Sequence, residues 1–543
     1  MDELSQISNN KKTVLSADLL LHLYDIFQKV PLPYKYIHVP GIKNFRKWPH
    51  VQCFIDGEIT YLTLDVMKHC GIYEGKTPNV WNCSWGSPFH INKYCECEPW
   101  QKVNHFCGSF LLGRKSELDY RMEELHPLVP DLLDYYPLTF ALPRHRQQFD
   151  EAISSRRYWI FKVSCSSCGR EIYLYDSTTP LSTFPLDLSQ FVGVAQEYIE
   201  RPFLLFGKKF DIRLYAMITS LTPLRIYMNT QGLVRFCPTQ YTFDNLDSRS
   251  HFTNFSLNKD DPDFVVSNGR KENVNDCKWS LRFFLSFLSL QKKIDVSKLI
   301  SDFEKIIIST LIASGTAIRI CHNPRVKHRK MCYELYGFDI ILDENLKSYL
   351  LEVNLCPSLS GLSSKLDYDI KYALNLDLFR MANIIDFDLK ASKEKQEKLK
   401  NDIEQYEERF KTSITPERRT AVEINGLDPW ESPVFADFEI VRDLIDELVK
   451  KGSTPQESAQ ISDYFDINEE LAISKCQETE KDEEFHGKFP EYGHYRLIFP
   501  TPENVQKYSR CFDFKKYEDI VLQNWMLLPE DEKLHIIHSH FMS

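Results

Sequence analysis

Two apolar stretches, YGFDIIL from Tyr336 to Leu342 and SYLLEVNL from Ser348 to Leu355, flank the short polar turn DENLK. So short a connection makes them an antiparallel hairpin. With the turn centred between Asn345 and Leu346, Asp339 faces Glu352 and Gly337 faces Asn354. Directly opposed residues share a face of the sheet, as do residues i and i+2 on one strand. Asp339, Glu352 and Asn354 therefore converge on one side, while Phe338, Ile340, Leu351 and Val353 pack beneath. Two carboxylates and an amide oxygen make a hard-oxygen set suited to Mg²⁺, an ion that keeps waters and bridges nucleotide phosphates. Spacing alone leaves a solvated acidic face open. Like charges directly opposed, however, cost a sheet about 0.2–1 kcal/mol unless something neutralises them.

A metal-bound nucleotide on that face needs cations on facing strands. Lys162 closes the stretch YWIFKV and enters a loop of small residues, SCSSCGRE, whose backbone can lie over phosphates. Lys209, Asp211 and Arg213 alternate on one face of KFDIRLY, with Phe210, Ile212 and Leu214 on the other. That row suits anion binding through charge-assisted hydrogen bonds, and a salt-bridge ladder would give the same pattern. Arg235 follows in LVRF, and HFTNFSLNK adds Thr253, Asn254 and Ser256. The chain contains no G-x-x-x-x-G-K-[ST] and no G-x-G-x-x-G opening a helix, which excludes a P-loop and weakens a Rossmann reading.

Charge and composition narrow the class. Among 543 residues, Lys and Arg number 66 and Asp and Glu 77, a net charge of −11, so a generally basic nucleic-acid binder is excluded. A hydrophobic share of 43% with 13% aromatic residues excludes a mostly disordered chain. The start MDELSQISNNKK lacks the layout of a secretory signal, and no uninterrupted apolar run approaches the roughly 18 residues of a bilayer span. Fifteen cysteines without a repeating framework suit a reducing compartment. The expectation is a soluble, intracellular protein of several parts. A helical lead covers residues 1–33, and an aromatic, turn-rich N-terminal domain covers 34–112. Short strands follow: YWIFKV, EIYLYD, VGVAQEYI, KFDIRLYAMITS, LRIYMN and LVRFCP. WSLRFFLSFLSL reads as a helix. A second starts near Val296, with Leu299, Ile300, Phe303, Ile306, Ile307 and Leu311 three and four residues apart, and a third runs through Lys371 to Met381. Interleaved strands and helices indicate an α/β or α+β domain. After about Phe387 come a charged helix, a Pro- and acid-rich stretch and a compact aromatic tail.

Several of these segments carry a resemblance. KFDIRLYAMITSLTPLRIY, GLVRF, HFTNFSLNK, CKWSL, YELYGFDIILDENLKSYLLEVNLCPSLS and LDYDIK resemble, in order and spacing, the tubulin–tyrosine-ligase-like family and its polyglutamylase branch. SWGSPF and QKVNHFCGSFLLGRKSEL look like the segment before the ATP site in that branch. The resemblance covers roughly Pro40 to Ile385. It implies an α+β class: an ATP-grasp-like core of mixed and antiparallel sheets with helices, plus a mainly helical C-terminal extension. The central unit would be 113–200, the unit with the metal site 201–387, and the charged helix, acidic linker and tail 388–543. The implied activity joins free glutamate to a protein carboxylate through an acyl phosphate, with ATP and Mg²⁺ as cofactors. Carried over residue by residue, Lys115 and Lys162 reach the ATP phosphates. Gln196, Glu197, Tyr198 and Ile199 edge the adenine, largely through backbone groups. Lys209, Phe210 and Asp211 hold the phosphates and ribose side, with Thr253 and Asn254 nearby. Asp339, Glu352 and Asn354 become Mg²⁺ ligands. Arg235, Phe255, Ser256, Lys278 and Lys371 match positions that bind the incoming glutamate. Arg213 would steady the acceptor carboxylate, so Arg213 and Arg235 are the catalytic cations.

The chain departs from the family pattern in its phosphate loop. Cys168 stands where an Arg or Gln meets the acceptor, Glu171 replaces a glycine near the triphosphate, and Phe255 replaces a tyrosine. These changes motivate a rival reading, a catalytically weak microtubule-binding protein that kept the fold. A third reading is a glutamylase of acidic non-tubulin proteins. The leading expectation is a monomer acting on tubulin C-terminal tails, without nucleic acid or membrane, in the cytoplasm on microtubules and in cilia or basal bodies where present. Cys165 and Cys168 read as small loop residues rather than a redox pair. Cys83, His90, Cys95, Cys97, His105 and Cys107 match no familiar zinc spacing. His535, His538 and His540 read as a polar end. The basic run Arg325 to Lys330 is either a solvated loop or a surface for acidic tails.

Overall fold

The computed structural model describes residues 51–75, 81–97, 101–164, 172–221, 224–243, 246, 248–253, 277–326, 331–382, 384 and 494–511. Outside them lie Cys168, Glu171, Asn254, Phe255, Ser256, the basic residues 327–330, the lead 1–33, the charged helix, the acidic linker and the final histidines.

The described residues form an α+β architecture with three sheets. In the first, β1 (Gln52–Asp56), β2 (Tyr73–Glu74) and β3 (Cys83–Gly86) run parallel in the order β2-β1-β3. Helix α1 (Tyr61–Cys70) makes the crossover and ends at Gly71, whose φ of 80° is the left-handed cap that glycine adopts without strain. The second sheet is antiparallel, ordered β4-β7-β5-β6 from β4 (Thr139–Leu142), β5 (Tyr158–Val163), β6 (Ile172–Asp176) and β7 (Gly193–Glu197). Trp159, Phe161, Phe149 and Phe191 fill its core, and helix α2 (Lys115–Leu125) leads into it.

The third sheet organises the molecule. Its strands are β8 (Phe210–Leu221), β9 (Leu224–Phe236), β10 (Lys278–Ser280), β11 (Glu334–Leu342) and β12 (Ser348–Asn354), antiparallel in the order β10-β9-β8-β11-β12. LRIYMN and LVRFCP, read from sequence as two strands, are one. β9 runs unbroken through Gly232, where a side chain would collide with the Arg213 carbonyl at 2.8 Å, and register shifts absorb the extra residues. WSLRFFLSFLSL begins as strand β10 before helix α3 (Leu281–Gln291), which Ser280 caps by accepting from the Phe283 amide.

Helix α4 (Val296–His322) buries Leu299, Ile300, Phe303, Ile306, Ile307 and Leu311 as their spacing predicts. Each such buried side chain contributes roughly 1.5–3 kcal/mol. By length and composition α4 also passes for a bilayer span, but 72% of its apolar window is buried inside this fold. Helix α5 (Lys365–Met381) packs against α1 on the other side.

The tail supplies a further piece. Strand β13 (Tyr495–Phe499) pairs with β9 at Ile226 to Asn229, on the edge that β10 leaves open, and helix α6 (Pro502–Tyr508) follows. Tyr495, Ile498 and Phe499 are fully buried. The described part of the C-terminal extension is thus a core strand with a short helix.

Candidate active site

In the hairpin, Asp339 pairs with Glu352, Phe338 with Val353 and Gly337 with Asn354. Nearer the turn the ladder slips: Ile340 pairs with Leu350 and Leu342 with Ser348. The turn is therefore not centred where the sequence suggested, and a bulge at Leu351 restores the register of the carboxylates. The bulge also overturns the expectation that Leu351 packs beneath. It lines the cleft above the sheet, and Leu350 fills the core instead.

The polar row extends across the sheet. Lys278 pairs with Arg235, Arg235 with Asp211, and Arg213 with Asp339, so charged residues run diagonally over five strands on one face. Arg213 binds both oxygens of Asp339, through Nε and, at 2.8 Å, through Nη2. Arg235 binds Asp211 with Nε at 2.7 Å and with Nη2, and that Nη2 also lies 2.9 Å from Asp339. Thr253 donates to Asp211 at 2.6 Å. Burial pushes the Asp339 carboxyl up, but the Arg213 and Arg235 guanidiniums overcome it and hold the group well below the usual carboxylate range. Gly337 makes room for this packing, since a Cβ there would stand 3.3 Å from Arg213 Cδ and 2.9 Å from Pro357 Cβ. Glu352 lies 3.6 Å from Lys115 at the start of α2, and Asn354 donates to Glu352 at 3.2 Å.

Between the second and third sheets lies a cleft lined by Lys162, Gln196, Glu197, Tyr198, Ile199, Lys209, Asp211, Thr253, Asp339 and Glu352. Apolar walls come from Ile160, Ile172, Ile341 and Leu351. Lys162 Nζ donates to Gln196 Oε1 at 2.7 Å and to the Leu351 carbonyl at 3.0 Å, so the bulge itself supplies an acceptor. Lys209 Nζ donates to the Tyr198 hydroxyl at 2.7 Å, and that hydroxyl shares a hydrogen bond with His251 Nδ1. Burial pushes both lysines down to about 8. Among the described residues neither has a carboxylate within ion-pair distance, which leaves two buried ammoniums at the cleft. The amides of Glu197 and Tyr198 already donate to Leu138 and Tyr158, so those two N–H groups are committed within the sheet.

A second cluster lies at the β10 edge. Lys278 and Lys371 both meet Asp367, a fully buried carboxylate in the first turn of α5. Phe210 joins neither group, since its ring packs in the core against Phe203, Phe236 and Phe284. His105 pairs with Glu334 at 2.7 Å, and among the described residues no three His, Cys, Asp or Glu side chains gather as a metal site.

The tubulin-tyrosine ligase family matches residues 93–392, which take in every side chain of both clusters. The chain belongs to this family. Its relatives include tubulin polyglutamylase ttll-4 of Caenorhabditis elegans, 29% identical over 83% of this chain and 67% of that protein. Tubulin polyglutamylase TTLL5 of Mus musculus is 36% identical over 56% of this chain and 23% of its own length. Tubulin monoglutamylase TTLL4 of Homo sapiens is 33% identical over 70% of this chain and 31% of its own. The match thus spans about two thirds of the nematode relative and less than a third of the two mammalian ones.

Within this family member, sequence reasoning missed Asp367, His251 and the Leu351 carbonyl. Asp367 had a signal: Ser364-x-x-Asp367 ahead of an apolar run is a helix-capping pattern, and the Asp367 amide donates to Ser364 Oγ at 3.0 Å. The other two depend on long-range packing.

Proposed function

We propose that this chain is an ATP- and Mg²⁺-dependent ligase that joins free glutamate to glutamate side chains of tubulin C-terminal tails. The supporting observation is the cleft that runs from apolar walls to two buried lysines and ends on the Asp339–Glu352 pair. The relatives are named as tubulin polyglutamylases and a tubulin monoglutamylase, and these names supply the substrate class. The hard oxygens of Asp339, Glu352 and Asn354 suit Mg²⁺, which when bound supplies Lewis-acid charge at the phosphates.

Lys162, Lys209 and Lys115 hold the triphosphate, and Gln196 to Ile199 with the isoleucines of the cleft hold the base. An acceptor carboxylate oxygen, steadied by Arg213, attacks the γ-phosphorus as the bond to ADP breaks. The lysines neutralise charge on the moving phosphoryl group. The amine of free glutamate then attacks the acyl carbon, loses a proton and displaces phosphate, giving an amide. Arg235 stabilises the oxyanion of that step, and Lys278 and Lys371 bind a carboxylate of the incoming amino acid. Glycine lacks a side-chain carboxylate to use such cations, so glutamate is the preferred donor. Asn254 would join the nucleotide contacts, and Phe255, Ser256 and Cys168 would complete the donor and acceptor contacts. We place the units at 34–112, 113–200 and 201–387, and the site of action on cytoplasmic microtubules and in cilia, with the chain acting as a monomer.

The test is incorporation of labelled glutamate into purified microtubules with Mg-ATP, with glycine as competitor. Glu352→Gln should lower incorporation at least a hundredfold while leaving the melting temperature within a few degrees. Wild-type protein that binds microtubules without incorporation would instead support a non-catalytic binder.

A further inference from the structure

The pair Lys278 and Lys371 poses a problem that the cleft lysines do not. The two side chains come from different elements, β10 and α5, yet their ammoniums meet one carboxylate in a largely buried site. Asp367 has no exposed surface. Its Oδ2 accepts from Lys278 Nζ and from Ser363 Oγ, and from Ser364 Oγ at 3.2 Å. Its Oδ1 lies 2.8 Å from Lys371 Nζ. Lys371 also donates to the Ser360 carbonyl at 2.8 Å, and Lys278 to Ser363 Oγ at 2.9 Å. The loop holding Ser360 and Ser363 is thereby tied to both lysines.

Helix capping accounts for the backbone amide of Asp367 but not for its side chain. The amide donates to Ser364 Oγ, and any residue with an N–H could do that. The carboxylate instead turns to two cations. Burial pushes it up, but Lys371 and Lys278 overcome that and hold it well below the usual carboxylate range. These two ammoniums and this carboxylate together carry one positive charge. Arg235, beside Lys278 in the ladder, is already paired with Asp211 and Asp339, so it does not change that count.

We propose that Asp367 is a positioning residue, holding Lys278 and Lys371 at the spacing and net charge that one carboxylate of the incoming glutamate requires. This rests on the ligase reading above and deepens it. Asp367 does not touch the reacting atoms. It acts through the lysines, by keeping both protonated and by keeping them together against their mutual repulsion.

Among the described residues, the charged and titratable groups facing it are Lys278 from β10, Lys371 from its own helix, Arg235 from β9, and Arg213 and Tyr215 from β8. Burial already pushes both lysines down. Without the Asp367 charge they fall further, and one gives up its proton as pH rises.

The experiment measures kcat and KM for glutamate and for ATP, with the full chain on microtubules, for wild type, Asp367→Asn, Asp367→Glu and Ser363→Ala, from pH 6.5 to 8.5. Asp367→Asn should raise the glutamate KM at least tenfold and leave the ATP KM within twofold. The defect should grow with pH, because the unshielded lysines deprotonate. Asp367→Glu should recover part of the loss, and Ser363→Ala should raise the glutamate KM about threefold. An unchanged glutamate KM, or equal rises in both KM values without pH dependence, overturns the proposal. If Asp367→Asn shows no cooperative melt, the other two variants decide, and an unchanged glutamate KM in both overturns it. Wild-type protein without any incorporation is a different failure, that of the ligase reading itself.

Discussion

Lys162 and Lys209 are expensive residues to keep where they are. Burial disfavours an ammonium, and it pushes both down to about 8 while neutral acceptors, Gln196, the Leu351 carbonyl and the Tyr198 hydroxyl, satisfy only part of their hydrogen-bonding capacity. A triphosphate supplies the missing charge and returns both lysines toward their ordinary range. Nucleotide binding near pH 8 should therefore take up protons, on the order of half to one proton in all. Calorimetry in two buffers of different ionisation enthalpy reads that number directly, and zero uptake would remove the lysines from the phosphate site. The same argument governs Lys162→Met. A folded-state value below the unfolded one means that the protonated side chain costs stability at neutral pH, a cost that fades as pH rises through 8. Exchange for an apolar side chain of similar length should leave the melting temperature no lower than wild type. Nucleotide binding, followed by titration, should be lost. A large drop in melting temperature would mean that Lys162 is chiefly structural.

Elements show where the sequence was legible and where it stopped. Alternation in KFDIRLY placed Lys209, Asp211 and Arg213 on one face because period two is a local property, and the heptad-like spacing of α4 placed its buried face for the same reason. The opposition of Asp339 and Glu352 was also readable, although the turn is offset from the centre assumed and the Leu351 bulge compensates. Period two cannot register an extra residue, and Leu351 was therefore assigned to the wrong face. Nothing local announces that HYRLIF crosses the molecule to reach β9, since an edge strand is chosen by an open row of backbone groups elsewhere in the fold. Burial of Ile498 gives that docking measurable weight. Ile498→Ala should cost about 2–5 kcal/mol, the range for a cavity in a packed core. Chemical denaturation of the full chain measures it. A loss below about 0.5 kcal/mol would mean that β13 is not part of the cooperative unit.

At the scale of the whole molecule, one buried ion pair ties the first sheet to the third. His105 Nδ1 meets Glu334 Oε1 on β11 at 2.7 Å, and its Nε2 meets the Gly86 carbonyl on β3 at 2.8 Å. With Glu334 ionised both partners are acceptors, and a ring that serves both carries a proton on each nitrogen. Glu334 also accepts from the Phe106 amide and the Tyr336 hydroxyl, which leaves no exposed route for its charge. Burial alone pushes His105 down, but Glu334, with Cys356 beside the ring, outweighs it and raises the imidazole to about 10. An unfolded histidine titrates near 6.5. The stability this proton contributes is therefore complete below pH 6.5 and is lost as pH climbs toward 10, at up to about 1.4 kcal/mol per pH unit. Lys162 and Lys209 act in the opposite sense above pH 8, so the wild-type curve alone would blur the effect. His105→Gln isolates it, because the lysines contribute equally to both proteins. The unfolding free-energy gap between wild type and His105→Gln should be widest near pH 6.5 and should close steadily toward pH 10. A gap that stays constant across that range would mean that the ring is neutral in the folded protein and that shape, not charge, joins the two sheets.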